Sequence, residues 1–314
     1  MEHQEKIAFV FPGQGSQSVG MLNSFKDIPL VDEILREADD VLGYRLSDLI
    51  AQGPSEELSL TVNTQPALLT ASYAMYSYWR SLGGRKPDLM AGHSLGEYSA
   101  LVCADALNFE EGLRLVRFRA ERMQEAVPSG KGAMAAVLGL PDEEVIRLCR
   151  EAGLGGEVAE AVNFNTPGQV VIAGTKAGVA KASELCKANG AKRVLALNVS
   201  GPFHSSLMKP AADKLAERLQ SVDFTPTEID LIHNVDVSVR KSSEEIRDAL
   251  ARQVDSPVLW APTIRDLAQR GVTKIYECGP GSVLTGMVKR IVSGVSAQSL
   301  NNKEAIEAAA QENS

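Results

Sequence analysis

The sequence contains little cysteine. Its four cysteines, Cys103, Cys149, Cys186 and Cys278, are far apart in a chain of 314 residues and form no Cys-x-x-Cys pair. This excludes the spacing of structural zinc sites and provides no disulfide framework. We therefore expect each thiol to be a small core side chain, which is the common fate of a free cysteine.

Positive charge is also in deficit. The chain has 32 Lys and Arg against 40 Asp and Glu, for a net charge of -8. Nucleic acid is therefore not an expected partner, because its recognition needs a basic surface. The early apolar run, residues 7–11, is too short for a signal peptide or a membrane span. We expect a cytoplasmic protein that does not bind membranes.

The most informative motif is Gly92-His93-Ser94-Leu95-Gly96. A short apolar run, residues 89–91, precedes it, and helix formers follow. Strand, tight turn and helix in this order are the context of a nucleophile elbow, where a strained turn projects the serine hydroxyl outward. A β-carbon at either glycine would clash with neighbouring backbone. The alternative is a serine that only caps a helix, since a nucleophile also needs a base and an oxyanion site.

A glycine-rich loop, residues 12–17, follows the first predicted strand, residues 6–11. The loop lacks the Lys-Ser/Thr ending of a P-loop and the Gly-x-Gly-x-x-Gly spacing of a dinucleotide fold. Two interpretations are left: a loop that presents backbone N–H groups to an anion, and a plain turn.

The order of predicted elements indicates an α/β fold with an insertion. Residues 131–199 show the pattern β-α-β-β-α-β, which is typical of a ferredoxin-like subdomain. This pattern interrupts a β/α alternation that continues afterwards and favours a mostly parallel sheet. We therefore predict a core formed by residues 1–130 and 200–314, and an inserted subdomain at 131–199. The tail from Asn301 is expected to be a frayed helix or disordered.

One arginine lies on the wrong side of its predicted helix. In the helix at residues 109–127, Arg119 falls on the apolar face with Leu115, Val116 and Met123. A guanidinium on a core-facing surface is costly unless an anion meets it. That anion is either an internal carboxylate in a buried salt bridge or a bound ligand.

A catalytic base is sought among only four histidines. His3 is near the terminus, and His93 points to the opposite face of its strand from Ser94. His233 ends a strand and is an alternative, but a histidine there is more often merely hydrogen-bonded. His204 lies in a loop beyond a strand end, where catalytic residues of α/β proteins collect, and is favoured. No acidic partner is evident, and a backbone carbonyl or an amide could orient the imidazole instead.

Four blocks of the sequence carry a resemblance to a known family: residues 11–17, 92–101, 201–204 and 279–281. Together they resemble the malonyl-CoA:acyl carrier protein transacylases of bacterial fatty-acid synthesis and the related acyltransferase domains of polyketide synthases. The resemblance extends from about residue 6 to residue 291. The chain departs from the family pattern at two places. Residues 103–106 stand where the family usually has an Ala-Gly pair, and Ala120 replaces a common glycine. Both departures concern helix packing more than chemistry.

The resemblance implies a hydrolase-like α/β core and specific roles for individual residues. Ser94 would be the nucleophile, His204 the base, and Arg119 the group that binds the malonyl carboxylate. The remaining roles implied are an oxyanion hole of the Gln14 and Leu95 N–H groups, a histidine-orienting carbonyl on Gln253, and substrate contacts by Asn163, His93 and Phe203. Phe203 would fill the space that an α-methyl branch needs, which favours malonyl over methylmalonyl.

The implied reaction is malonyl transfer from malonyl-CoA to the phosphopantetheine thiol of acyl carrier protein, through a malonyl-serine intermediate. The resemblance implies no cofactor or metal, and we expect a monomer. The alternative is a serine esterase or thioesterase with the same elbow. Because both partners are acidic, we expect a local basic surface near the cleft, with Lys187, Lys192, Arg193, Lys289 and Arg290 as candidates.

Overall fold

The computed structural model describes residues 5–313. Within them, ten strands form two sheets. The strands are β1 (Lys6–Phe11), β2 (Leu89–Gly92), β3 (Gly132–Leu138), β4 (Ala159–Thr166), β5 (Gln169–Thr175), β6 (Arg193–Ala196), β7 (Asp230–His233), β8 (Ser238–Val239), β9 (Val272–Glu277) and β10 (Ser296–Ser299).

The α-helices of the same residues pack against the two sheets. They are α1 (Pro29–Leu42), α2 (Leu46–Gln52), α3 (Ser55–Leu58), α4 (Thr61–Ser81), α5 (Gly96–Cys103), α6 (Phe109–Glu125), α7 (Asp142–Ala152), α8 (Lys176–Ala188), α9 (Lys209–Leu219), α10 (Ser243–Gln253), α11 (Trp260–Gln269), α12 (Val283–Ile291) and α13 (Lys303–Glu312).

The larger sheet has the order β10-β9-β1-β2-β7-β8. Its neighbouring strands are parallel except for β8, which is antiparallel to β7. On the central strand β1, Phe9 and Phe11 pack into one hydrophobic cluster, whereas Ala8 and Val10 pack into another on the opposite face. Helices cover both faces, and β1 is therefore apolar at successive positions instead of alternating.

The smaller sheet is antiparallel, with the order β4-β5-β3-β6. Helices α7 and α8 cover one face, where Val145 and Val179 pack against Val137 and Ile172. The order and the alternation of strands and helices are those of a ferredoxin-like unit. The predicted α/β class, with a mostly parallel sheet and this insertion, is confirmed. The bounds of 131–199 stay a prediction.

The C-terminal segment differs from the expectation of a frayed or disordered tail, which was wrong. Residues 303–312 form α13, in which Ile306, Ala309 and Ala310 are buried. The Tyr78 hydroxyl donates a hydrogen bond to Glu307 Oε1 at 2.7 Å. These apolar residues recur at helical spacing, so one face of the helix is held against the core.

The cysteines agree with the expectation that they are core side chains. All four cysteines are buried and carry free thiols, as small core residues do. Among the helices of residues 5–313, none combines the length and apolar character that crossing a membrane requires.

Candidate active site

Ser94 lies on a sharp turn between β2 and α5. Its backbone has φ of 52°, in the left-handed region that non-glycine residues rarely adopt. A β-carbon on Gly92 would lie 1.9 Å from the Gly96 carbonyl carbon, and one on Gly96 would lie 2.0 Å from the Phe11 oxygen. Only glycine fits at these two positions, and the strand, turn and helix predicted around Ser94 are present.

The strained turn is held from behind by Asn234, which directly follows β7. Asn234 Oδ1 accepts a hydrogen bond from the Ser94 N–H at 2.8 Å, and its Nδ2 donates to the Gly92 carbonyl at 2.6 Å. Asn234 is fully buried. Sequence reasoning missed this residue, although its position just beyond a strand end was an available signal.

His204 contacts the serine. Ser94 Oγ lies 2.7 Å from His204 Nε2, and His204 Nδ1 lies 2.8 Å from the Gln253 backbone oxygen. A carbonyl accepts only, so Nδ1 carries the proton and Nε2 accepts from the serine hydroxyl. The imidazole is buried, and this burial, with the positive charge of Arg119 as the next cause, lowers the pKa of His204 to about 3. The ring is therefore a neutral hydrogen-bond acceptor at neutral pH.

Arg119 is buried, with 1% of its surface exposed. Its Nη1 donates to Gln65 Oε1 at 2.8 Å, and its Nη2 donates to Gln253 Oε1 at 2.8 Å and to Ser94 Oγ at 3.2 Å. The guanidinium lies 5.2 Å from the Tyr98 ring centroid, and burial lowers its pKa.

The same guanidinium keeps spare capacity for an anion. Within residues 5–313, Arg119 Nε has no hydrogen-bond partner, and no carboxylate lies within ion-pair distance of the side chain. The buried salt bridge considered from the sequence is therefore absent from this part of the chain. A buried guanidinium beside a serine hydroxyl is suited to bind a carboxylate.

These groups line one cavity of about 260 Å³. Ser94, His204 and Arg119 form its polar floor, while apolar side chains such as Met134 and Leu284 form its walls. Gln253 is linked to all three polar residues but lies behind them. The other predicted site residues on the cavity wall are Gln14, Leu95, Asn163, His93 and Phe203.

The glycine-rich loop lies against the elbow. A β-carbon on Gly13 would lie 2.5 Å from the His93 carbonyl oxygen, so the two segments are in close contact. The Gln14 side chain donates to Thr61 Oγ1 at 3.2 Å. Among the hydrogen bonds of residues 5–313, none uses the backbone N–H of Gln14 or of Leu95 as donor. Neither N–H group is therefore committed to another described residue.

The remaining wall residues differ in their contacts. His93 Nε2 lies 2.8 Å from Asn165 Oδ1, and burial lowers the pKa of His93. Asn163 and Phe203 are buried, with 7% and 6% of their surfaces exposed. Sequence reasoning missed Asn165, which also lines the cavity. Its spacing of two residues from Asn163 on the same strand was the available signal.

The candidate basic residues lie in two places. Arg290 Nη1 donates to the side chain of Gln169, a residue of the cavity wall, at 3.1 Å, and Lys289 is its exposed neighbour on α12. Lys192 and Arg193 are exposed at the start of β6, and Lys187 is exposed near the end of α8.

Within residues 5–313, no group of three or more His, Cys, Asp or Glu side chains could hold a metal ion.

The sequence matches a known family over almost its whole length. A family model described as "Acyl transferase domain" matches residues 8–309. The chain is 53% identical over 305 residues to the malonyl CoA-acyl carrier protein transacylase of Escherichia coli K12, covering 97% of this chain and 98% of the relative. It is 47% identical over 307 residues to the enzyme of the same name from Bacillus subtilis, covering 98% and 96%.

Solved structures share the fold. An acyl-carrier-protein S-malonyltransferase from Burkholderia pseudomallei 1710b matches with a TM-score of 0.95 and 54% identity, over 98% of this chain and 99% of that one. A malonyl-transacylase solved in complex with a type II polyketide synthase acyl-carrier protein matches with a TM-score of 0.96 and 50% identity, over 98% and 100%. The resemblance seen in the motifs is confirmed, and the chain belongs to the acyl transferase domain family, among the malonyl CoA-acyl carrier protein transacylases.

Proposed function

We propose that this protein is an acyltransferase that moves a malonyl group from malonyl-CoA to the phosphopantetheine thiol of acyl carrier protein. The transfer is ping-pong, through a malonyl ester of Ser94. The observation that carries the proposal is a neutral imidazole on the Ser94 hydroxyl beside a buried guanidinium that has no carboxylate partner. Relatives about half identical to the chain are named for this activity.

In the first half-reaction, Ser94 Oγ forms a bond to the thioester carbonyl carbon while its proton passes to His204 Nε2. The carbonyl oxygen becomes negative, and the N–H groups of Gln14 and Leu95 are the proposed donors to it. The carbon–sulfur bond then breaks, and His204 returns its proton to the departing thiolate of coenzyme A. The Gln253 carbonyl, which accepts from Nδ1, stabilises the transient imidazolium.

In the second half-reaction, the phosphopantetheine thiol loses its proton to His204 and its sulfur attacks the ester carbonyl. The bond from carbon to Ser94 Oγ breaks, and the serine regains its proton from the imidazolium. In each half-reaction, His204 takes the proton of the attacking group and delivers it to the leaving group. Neither half-reaction requires a redox step, and we propose that no cofactor takes part.

Substrate selection rests on Arg119. A planar guanidinium recognises a carboxylate by both its charge and its planar geometry. An acetyl thioester has no such carboxylate. Phe203, His93 and Asn163 are proposed to shape the pocket around the acyl chain, with Phe203 disfavouring an α-methyl branch. The inserted subdomain, proposed at 131–199, contributes Met134 and Asn163 to the cavity wall.

Mixing the purified protein with malonyl-CoA alone tests the proposal. Intact mass should show one malonyl group on the protein, located at Ser94 by peptide mapping, and the group should leave when holo acyl carrier protein is added. Ser94→Ala is the matched control and should stay unlabelled. Steady release of free malonate without an acceptor would instead identify an esterase, the alternative that the names of the relatives do not favour.

A further inference from the structure

Behind the nucleophile lies a fully buried carboxylate, Glu97 on α5. Its Oε1 lies 2.5 Å from His233 Nδ1. Its Oε2 accepts hydrogen bonds from the Asn234 N–H and from Gln253 Nε2, both at 3.0 Å. The mechanism proposed above does not use this group, yet a buried carboxylate is costly unless something offsets its charge.

The Gln253 carboxamide separates this carboxylate from Arg119. Gln253 Oε1 accepts from Arg119 Nη2 at 2.8 Å, and its Nε2 donates to Glu97 Oε2. The orientation of the amide is fixed from both sides, because only its oxygen can accept from the guanidinium and only its nitrogen can donate to the carboxylate. Two opposite buried charges are therefore coupled through one neutral group without touching.

The histidine beside Glu97 does not offset its charge. His233 Nε2 is buried and has no hydrogen-bond partner among residues 5–313. A second proton there would create a buried N–H without an acceptor. The geometry therefore assigns the imidazole a single proton, on Nδ1 and shared with Glu97, and leaves the negative charge on the carboxylate.

We propose that Glu97 is the internal countercharge of Arg119, held out of contact with it by Gln253. A buried guanidinium with no nearby anion would destabilise the fold, whereas one in direct contact with a carboxylate would be neutralised and closed to substrate. The separated arrangement offsets the charge and leaves Arg119 free for the acyl carboxylate. The inference rests on the proposed malonyl substrate, and Glu97 acts as a positioning residue because it does not touch that substrate.

Glu97→Gln changes the charge with little change of shape. The new amide oxygen can accept from Asn234 and Gln253, as Oε2 does now. The new amide nitrogen can donate to His233 Nδ1 once the histidine proton moves to Nε2. That N–H then lacks an acceptor, so we expect some loss of stability beside the change of charge. Dissociation constants for malonyl-CoA and acetyl-CoA are measured by calorimetry in a Ser94→Ala background, where no acyl transfer occurs.

The expected result is tighter binding of malonyl-CoA, by about fivefold or more, with unchanged binding of acetyl-CoA. Without its countercharge, Arg119 should bind a substrate carboxylate more tightly. A unit charge that is separated from the guanidinium by one carboxamide has an effect of that scale in a protein interior. His233→Asn is the matched control, since it disturbs the same cluster but keeps the carboxylate charge. It should leave the ratio of the two dissociation constants unchanged.

Weaker malonyl-CoA binding in the Glu97→Gln variant, or an equal change for both thioesters, would overturn the inference. A parent protein that does not prefer malonyl-CoA would instead count against the proposed function. If Glu97→Gln does not fold, the same substitution is made together with Arg119→Gln. Restored folding supports the inference, because no buried cation is then left without its partner, and failure to fold in both backgrounds counts against it.

Discussion

Ser94 and His204 are 110 residues apart in sequence, and their side chains meet at 2.7 Å while both backbones adopt left-handed φ angles, 52° and 62°. Such conformations cost of order 1–3 kcal/mol each and persist where the surrounding structure determines them. Asn234 holds the Ser94 N–H, and the Gln253 carbonyl holds the His204 ring. Both members of the pair are thus fixed before a substrate arrives.

Replacing His204 with alanine should slow formation of the malonyl-enzyme by about 10²–10⁴-fold, which is the usual contribution of a general base. Rapid-quench mass spectrometry with malonyl-CoA measures this rate. Circular dichroism of the variant controls for folding. Replacing His233 with alanine should have a much smaller effect on the same rate, and the opposite order would show that the base was misassigned.

The pH dependence should reflect the depressed pKa of His204, about 3. kcat/KM for malonyl-CoA reports the free enzyme, so it should be nearly constant from pH 7.5 down to about pH 5, whereas an ordinary histidine would lose activity below about 6.5. Because the positive charge of Arg119 contributes to the shift, Arg119→Ala should move the acidic limb to higher pH. A wild-type limb near 6.5 would contradict the burial argument.

The same pKa shift affects stability. Between pH 6.5 and about 3, the native state binds fewer protons at His204 than the unfolded state does. The contribution of the neutral ring is therefore complete above pH 6.5 and is lost as pH falls toward 3. Chemical denaturation at several pH values should show that His204→Gln weakens this part of the acid destabilisation. An unchanged slope in the variant would assign the destabilisation to other groups.

Arg119→Ala should reduce kcat/KM for malonyl-CoA by about 10²-fold or more, because charged hydrogen bonds contribute about 1.5–3 kcal/mol each. Activity on acetyl-CoA should fall far less, so the two thioesters are compared in one assay. Arg119→Lys keeps the charge but not the planar fork and should be intermediate. Equal losses on both thioesters would mean that the arginine supports the fold instead of selecting the substrate.

Asn234→Ala should lower both stability and turnover. The substitution leaves the Ser94 N–H and the Gly92 carbonyl buried without partners, at about 1–3 kcal/mol each. Urea denaturation measures the loss in free energy of unfolding, and kcat measures the effect on the elbow. Asp39→Ala, which removes the acceptor of the Ser47 N–H at a buried position outside the cavity lining, is the control and should lower stability without a comparable fall in kcat. An Asn234→Ala variant with unchanged kcat would show that the turn at Ser94 keeps its conformation without this side chain.

Arg290→Glu should raise KM for acyl carrier protein while leaving the rate of acylation by malonyl-CoA almost unchanged. Arg290 contacts Gln169 at the cavity wall, and we expect the acidic carrier protein to dock on the basic surface to which Arg290 belongs. The wild-type KM should also rise with salt, because exposed charges are screened. A KM that does not depend on ionic strength would count against a basic docking surface.

Local patterns in the sequence predicted much of the candidate site. Glycines around Ser94 indicated the elbow because their steric requirement is local, and a core-facing position singled out Arg119 because helical periodicity is local. The partners of these groups were not predictable in the same way. Asn234, Asn165 and the contact between Gln253 and Glu97 depend on neighbouring strands and on a helix more than 130 residues away.

The sequence alone determined the α/β class, the elbow and the family resemblance, since each depends on residue type and short-range spacing, and it favoured His204 over His233 as the base. Only the tertiary structure decided whether Arg119 meets an internal acid, what holds His204 in place, and whether the final helix packs. Those outcomes depend on distances between segments far apart in the chain, which the packing of two sheets and their helices brings together.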